Sequence, residues 1–160
     1  MKFVADCMLG RLAKWFRVLG FDVLYFSKAE DRELVAIARR DGRVLLTRDT
    51  GLIEKTKKRQ NRLFVASDDW QEQVVQVLEE YDLWDDIRPH SRCLACNLDL
   101  KALAKVRARN LVTPYILEHA ESFALCPGCG RVFWQGSHSG DMERKIEAIL
   151  KKRPRSQAGD

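Results

Sequence analysis

The sequence predicts an α/β domain built on a mostly parallel sheet with helices on its faces, followed by a small zinc-ribbon lobe. Three observations predict it. Short apolar runs of strand length alternate with longer runs of helical period as far as Leu83. Three of the strand runs lead into aspartate: Asp6, Asp49 and the Asp68-Asp69 pair. Two Cys-x-x-Cys pairs, Cys93/Cys96 and Cys126/Cys129, lie beyond the last of these runs.

Residues 2–6 read as the first strand, Phe3-Val4-Ala5 ending in Asp6. Leu9, Leu12, Phe16 and Leu19 then share one helical face, and Gly20 stops the helix. Val23-Leu24-Tyr25-Phe26 reads as a second strand, with Ser27-x-x-Glu30 as a capping box ahead of a helix carrying Leu34, Val35, Ile37 and Ala38. The third strand, Val44-Leu45-Leu46 running into Thr47-Arg48-Asp49, is apolar enough for burial on both faces. A short charged helix from about Leu52 to Arg59 and a strand at Leu63-Phe64-Val65 follow. Asp68 or Asp69 caps a helix with Trp70, Val74, Val77, Leu78 and Tyr81 on its apolar face. Met142, Ile146, Ile149 and Leu150 mark a closing helix.

The chain has 160 residues, room for one ordinary domain and an appendage. The expected divisions are an α/β domain over 1–88, a zinc-ribbon lobe over 89–140, the closing helix over 141–152 and a disordered basic tail over 153–160. No run approaches the roughly 18 apolar residues of a membrane span. Met1-Lys2-Phe3-Val4 opens on a strand pattern instead of a charged-then-apolar leader, so a cytoplasmic location is expected. Through Arg92 there are 17 Lys and Arg against 16 Asp and Glu, and from Cys93 onward 11 against 7. The basic excess after Cys93 is compatible with a nucleic-acid partner.

In a parallel sheet, ligands gather beyond the carboxyl ends of the strands. Asp6, Asp49 and Asp68 or Asp69 share that edge, and Glu30 or Asp31 at the next helix start can face it; Asp31 is the choice of that pair. Carboxylates about 5 Å apart repel by roughly 3 kcal/mol per pair at an effective dielectric of 20. Oxygen-only ligands of that kind suit Mg²⁺ or Mn²⁺. Each acid can equally serve as a helix N-cap. Arg11, Lys14 and Arg48 lie near the acids in sequence and suit phosphate; Lys55, Lys57, Lys58, Arg59 and Arg62 form a denser basic run.

The cysteines carry the most specific signal. Thiolates two residues apart ligate one metal from a tight turn, and two such turns complete a tetrahedral zinc site of Cys93, Cys96, Cys126 and Cys129. Cys7 is the odd one out and reads as a small buried side chain. Phe133 and Trp134 can stack on bases or cover the zinc lobe, and His138 can contact phosphate or base.

The stretches 3–20 (FVADCMLGRLAKWFRVLG), 44–49 (VLLTRD), the Cys93-x-x-Cys96-Asn97 knuckle and 126–138 (CPGCGRVFWQGSH) together resemble the Mut-seven C-terminal RNase domain family, a branch of the PIN-like nucleases with an appended zinc ribbon. The resemblance implies a PIN-like three-layer α/β/α fold over 1–88, an acidic divalent-metal site and action on RNA. By position it implies Asp6, Asp31, Asp49 and Asp68 as catalytic acids, with Asp6 and Asp49 as Mg²⁺ or Mn²⁺ ligands. Arg11, Lys14, Arg48, Trp134 and His138 are the expected RNA contacts. The expected activity is metal-dependent hydrolysis of single-stranded or structured RNA. The alternative is a non-catalytic RNA-binding protein that uses the zinc lobe and basic patches. A phosphoacceptor receiver-like domain fits less well, because a single Asp follows the first strand and no Lys ends a late one.

Overall fold

The computed structural model describes residues 1–56, 61–136 and 140–154. Four strands, β1 (Lys2–Ala5), β2 (Asp22–Tyr25), β3 (Val44–Thr47) and β4 (Arg62–Phe64), form a parallel sheet in the order β2-β1-β3-β4. The register pairs Phe3 with Val23 and Val44, and Leu46 with Leu63. Central position explains the composition: β1 and β3 are the inner strands, and Phe3-Val4-Ala5 and all of β3 are buried.

Alternation along the strands divides the core in two. Phe3, Ala5, Val44 and Leu46 face one layer, made by α1 (Gly10–Val18), α4 (Trp70–Glu80) and α7 (Gly140–Leu150). Val4 and Leu45 face the other, where α2 (Asp31–Arg40) supplies Leu34 and Ala38 and α3 (Thr50–Lys55) supplies Leu52. The predicted three layers are thus present. Aromatic rings fill the thicker layer: Phe3 meets Phe16 edge-on at 5.4 Å, and Trp15 stacks on Trp70 at 4.6 Å. Arg11 lies over the Trp70 ring and Lys145 of α7 over Trp15. Ile146 and Ile149 of α7 complete this core, each contributing about 1.5–3 kcal/mol by burial.

The chain leaves the first layer after α4, passes along the carboxyl end of α1, builds the cysteine lobe and returns as α7. Gly20 lets it pass that closely: at φ +97 it ends α1 where a Cβ would lie 2.4 Å from the Arg88 carbonyl oxygen. The lobe is an antiparallel sheet in the order β5-β6-β7, from β5 (Lys101–Leu103), β6 (Ser122–Leu125) and β7 (Val132–Gln135). Between β5 and β6 run the short helices α5 (Lys105–Ala108) and α6 (Pro114–His119). Its own buried apolar cluster is small: Ala108, Ala120 and Phe123.

Several local expectations need correction. The capping box of α2 lies one turn later than Ser27-x-x-Glu30: Glu30 is the N-cap and Glu33 reaches back to its backbone N–H at 2.9 Å. Helix α3 starts at Thr50, because Asp49 caps it, and ends at Lys55, where the Thr56 hydroxyl donates to the Leu52 carbonyl. Cys7 is exposed, not buried, since it opens the turn that leaves the sheet after Asp6. Lys57, Lys58, Arg59, His138 and residues 155–160 lie outside the described residues.

Candidate active site and zinc centre

Strands β1 and β3 are neighbours, so the residues after their carboxyl ends meet. The Asp6 N–H continues the ladder to the Leu46 carbonyl at 3.0 Å. Its carboxylate, 4% exposed, then reaches across to β3. One oxygen accepts from the Met8 N–H at 2.8 Å; the other accepts from the Arg48 N–H at 2.8 Å and from the Thr47 hydroxyl. Thr47 Oγ1 in turn accepts the Asp49 N–H at 2.9 Å. A buried threonine therefore ties Asp6 to the backbone that carries Asp49. Sequence reasoning passed over Thr47, although a hydroxyl closing an otherwise apolar buried strand is itself the signal.

The other acids have separate employments. Asp49 is exposed and caps α3 by accepting the Leu52 N–H at 3.1 Å. Asp69 caps α4, accepting from the Gln71 and Glu72 N–H groups at 2.9 and 3.0 Å. Asp68 is left free of capping, 92% exposed, and pairs with the Arg48 guanidinium. Arg48 Nε is buried and has no hydrogen-bond partner among the described residues. Asp31 stands exposed at the start of α2, beside the Glu30–Arg32 ion pair at 2.9 Å. Arg11 and Lys14 are exposed on α1, the first resting over Trp70. Among the described residues, no three carboxylates converge as a ready ligand set: the group of three or more potential ligands that does so is the cysteine quartet.

In that quartet, all four sulfurs lie within 4.8 Å of one another. Cys93 Sγ and Cys129 Sγ are 3.8 Å apart, the edge of a tetrahedron with zinc–sulfur bonds of about 2.3 Å. The two knuckles have the same backbone. Cys93 N–H donates to the Leu98 carbonyl and Asn97 N–H back to the Cys93 carbonyl; Cys126 and Arg131, then Gly130 and Cys126, repeat the pattern. The fifth residue of each turn is left-handed, Asn97 at φ 60 and Gly130 at φ 70. Cys126 is pulled down to about 7 by the backbone N–H of Cys129 and, against burial, of Gly128. Cys96 is pushed up to about 12, chiefly by its side-chain hydrogen bond to Cys129 and by burial. Four thiols at this spacing can hold one zinc ion, and loading it releases the protons that the quartet retains.

The first knuckle is not free-standing. Asn97 Oδ1 accepts the Val23 N–H at 3.1 Å, and its amide donates to Asp22 at 2.7 Å. Asp22 also accepts from Arg43 at 2.6 Å. Arg17 of α1 donates to the Val23 carbonyl and to the Leu94 carbonyl at 2.8 Å, and Arg92 reaches the Gly20 and Asn97 carbonyls. The zinc lobe is thereby bonded along the outer edge of β2. Of the lobe residues expected to meet RNA, Trp134 is 49% exposed and Phe133 is half-buried.

The family model of the Mut7-C RNAse domain matches residues 1–146. No curated protein and no solved structure matches the chain. None of the described helices is long and apolar enough to cross a membrane.

Proposed function

The chain belongs to the Mut7-C RNAse domain family, and from that membership we propose that it is a divalent-metal-dependent ribonuclease of PIN-like architecture, working at the carboxyl edge of β1 and β3. The observation that carries this reading is the hydrogen-bonded line from Asp6 through Thr47 to Asp49. It holds one acid and the backbone of another on the two central strands.

The donors fit Mg²⁺ or Mn²⁺. Such ions are commonly held by one or two carboxylates, with water and substrate phosphate completing the shell, so a converged trio is not required. Asp6 and Asp49 would hold the ion: Asp49 caps α3 through one oxygen and has the other open, and Asp6 keeps lone pairs beyond its three donors. A bound divalent ion supplies an activated water and steadies the leaving oxygen of a phosphodiester. The chain supplies the rest. Among the described residues, the Arg48 guanidinium pairs with exposed Asp68 and its Nε has no partner; a phosphate that draws the guanidinium outward satisfies it and frees Asp68 for the site. Arg11 and Lys14 orient the RNA backbone along α1, and Asp31 is a further acid on the same edge. Four thiols at ligating distance suit a reducing compartment, and we read the protein as cytoplasmic.

The second reading, an RNA-binding protein without turnover, draws support from the capping and ion-pair roles that occupy Asp49, Asp69 and Asp68. One experiment separates the two. Labelled single-stranded RNA incubated with the zinc-loaded protein should be cut on addition of Mg²⁺ or Mn²⁺ and left whole without them. Binding without cleavage at any divalent-ion concentration selects the second reading.

A further inference from the structure

Between the zinc lobe and the first layer lies a cavity of about 550 Å³, within the size range of small-molecule sites. Val18 at the end of α1 and Met142 of α7 form one wall; Phe123, Trp134, Tyr115 and His119 of the lobe form the other. Its lining is mainly apolar and rich in rings. Tyr115 and Trp134 are 58% and 49% exposed, unusual for rings beside a lobe so short of core. Tyr115 stacks on His119 at 4.2 Å with 24° between the planes, a preformed stack on whose outer ring face a further planar group can continue. The His119 Nδ1–H donates to the Tyr115 carbonyl at 2.8 Å, since a carbonyl only accepts. In the neutral ring this leaves Nε2 as the acceptor, and Nε2 has no partner among the described residues.

We infer that this cavity receives an unpaired base of the RNA strand. Flat aromatic surfaces with one or two hydrogen-bonding atoms are what single-stranded RNA recognition uses, because every base offers a π face and an edge. The lobe that lines the cavity also carries charge that suits the attached backbone: Lys101, Lys105, Arg107, Arg109 and Arg131 are exposed and make no ion pair among the described residues, and Arg92 lines the cavity itself. The inference rests on the ribonuclease reading for its choice of ligand. It adds a position: α1 begins four residues after Asp6 and its last residue, Val18, lines the cavity, so the whole length of that helix, about 12 Å, lies between the base and the turn that follows Asp6. The base bound here is an anchor remote from the bond that is cut.

The test uses the full, zinc-loaded chain in buffer free of Mg²⁺ and Mn²⁺, so that it needs no turnover. A short RNA carrying 2-aminopurine is titrated by fluorescence beside an abasic RNA of equal length. The parent should bind the base-bearing strand about tenfold tighter or more, and Tyr115→Ala and Trp134→Ala should each erase most of that preference. Zinc content and affinity for the abasic strand should not change. Equal affinity of the parent for both strands, or variants that keep the preference, overturns the inference. As a check on the unaltered protein, RNA containing 4-thiouridine should photocrosslink within 113–120 or 132–136; adducts confined to other segments overturn it too. A protein that selects bases but never cuts sinks the ribonuclease reading alone, and one that cuts without base preference sinks the anchor alone.

Discussion

Asn97 gives Val23 the hydrogen-bond partner that a further strand would otherwise supply. β2 is an edge strand, and its Val23 N–H points outward to the Asn97 side-chain oxygen at 3.1 Å. The same residue holds the left-handed turn of the first knuckle. A single side chain thus links the geometry of the zinc site to the margin of the parallel sheet.

Asn97→Gly retains the backbone conformation and removes the side-chain bonds to Val23 and Asp22. Leaving a buried N–H unpaired costs about 1–3 kcal/mol. The variant should keep its zinc and melt several degrees lower as one transition. An unchanged melting temperature would show that the edge bond contributes nothing.

Elemental analysis should find one zinc per chain in the parent and none in Cys126→Ser. Because the lobe has so little core of its own, the variant should also melt more than about 5 °C lower. Stoichiometric zinc in the variant would rule out the four-cysteine site.

Asp49→Asn should abolish Mn²⁺-dependent cleavage and leave the fold intact, since an asparagine still caps α3. Asp6→Asn should abolish cleavage and also destabilise the chain by about 1–3 kcal/mol, because its carboxylate takes three protein donors. Parental cleavage rates in both variants would refute the acid assignment. Thermal melts beside the kinetics separate the two effects.

Asp22 sets an acid limb. Burial alone would raise its carboxyl, but hydrogen bonds from Arg43 and Asn97 outweigh burial and hold it below the usual range. A depressed folded value gives stability that is present above the unfolded value of about 3.9 and lost as pH falls toward the folded one. Stability measured from pH 6 downward should therefore drop below about pH 4. Asp22→Asn should start lower and show a shallower drop; an identical acid limb would exclude Asp22 as its source.

Truncation after Arg88 should give insoluble protein. It removes Ile146 and Ile149 from the first layer and uncovers the outer edge of β2. Soluble, monomeric 1–88 with a cooperative melt would contradict this.

The sheet was legible because Phe3-Val4-Ala5 and Val44-Leu45-Leu46 are short, apolar and followed by acids, a pattern that burial on both faces imposes. The meeting of Cys93, Cys96, Cys126 and Cys129 was legible from spacing alone. The acids were legible as an edge but not as individuals: whether Asp68 or Asp69 caps α4 depends on one residue of phase at the helix start. The lobe's helices α5 and α6 escaped notice, since four- and six-residue elements are too short for a period to emerge. Arg17, Asp22, Arg43 and Arg92 escaped for another reason. Each acts by reaching a carbonyl or a carboxylate far away in the chain, and no local pattern announces such a partner.

The return of α7 to the first layer has a consequence in time. About 70 residues separate the end of α4 from the end of α7, which is roughly 4–14 s of synthesis at about 5–20 residues per second. During that interval the sheet exists with one flank of its thicker layer uncovered and Trp15 without its lysine lid. The nascent chain completes this layer only after the metal-binding lobe has been made. A ribosome that stalls inside the lobe would therefore release a fragment suited to chaperones and proteases, not a loose nuclease.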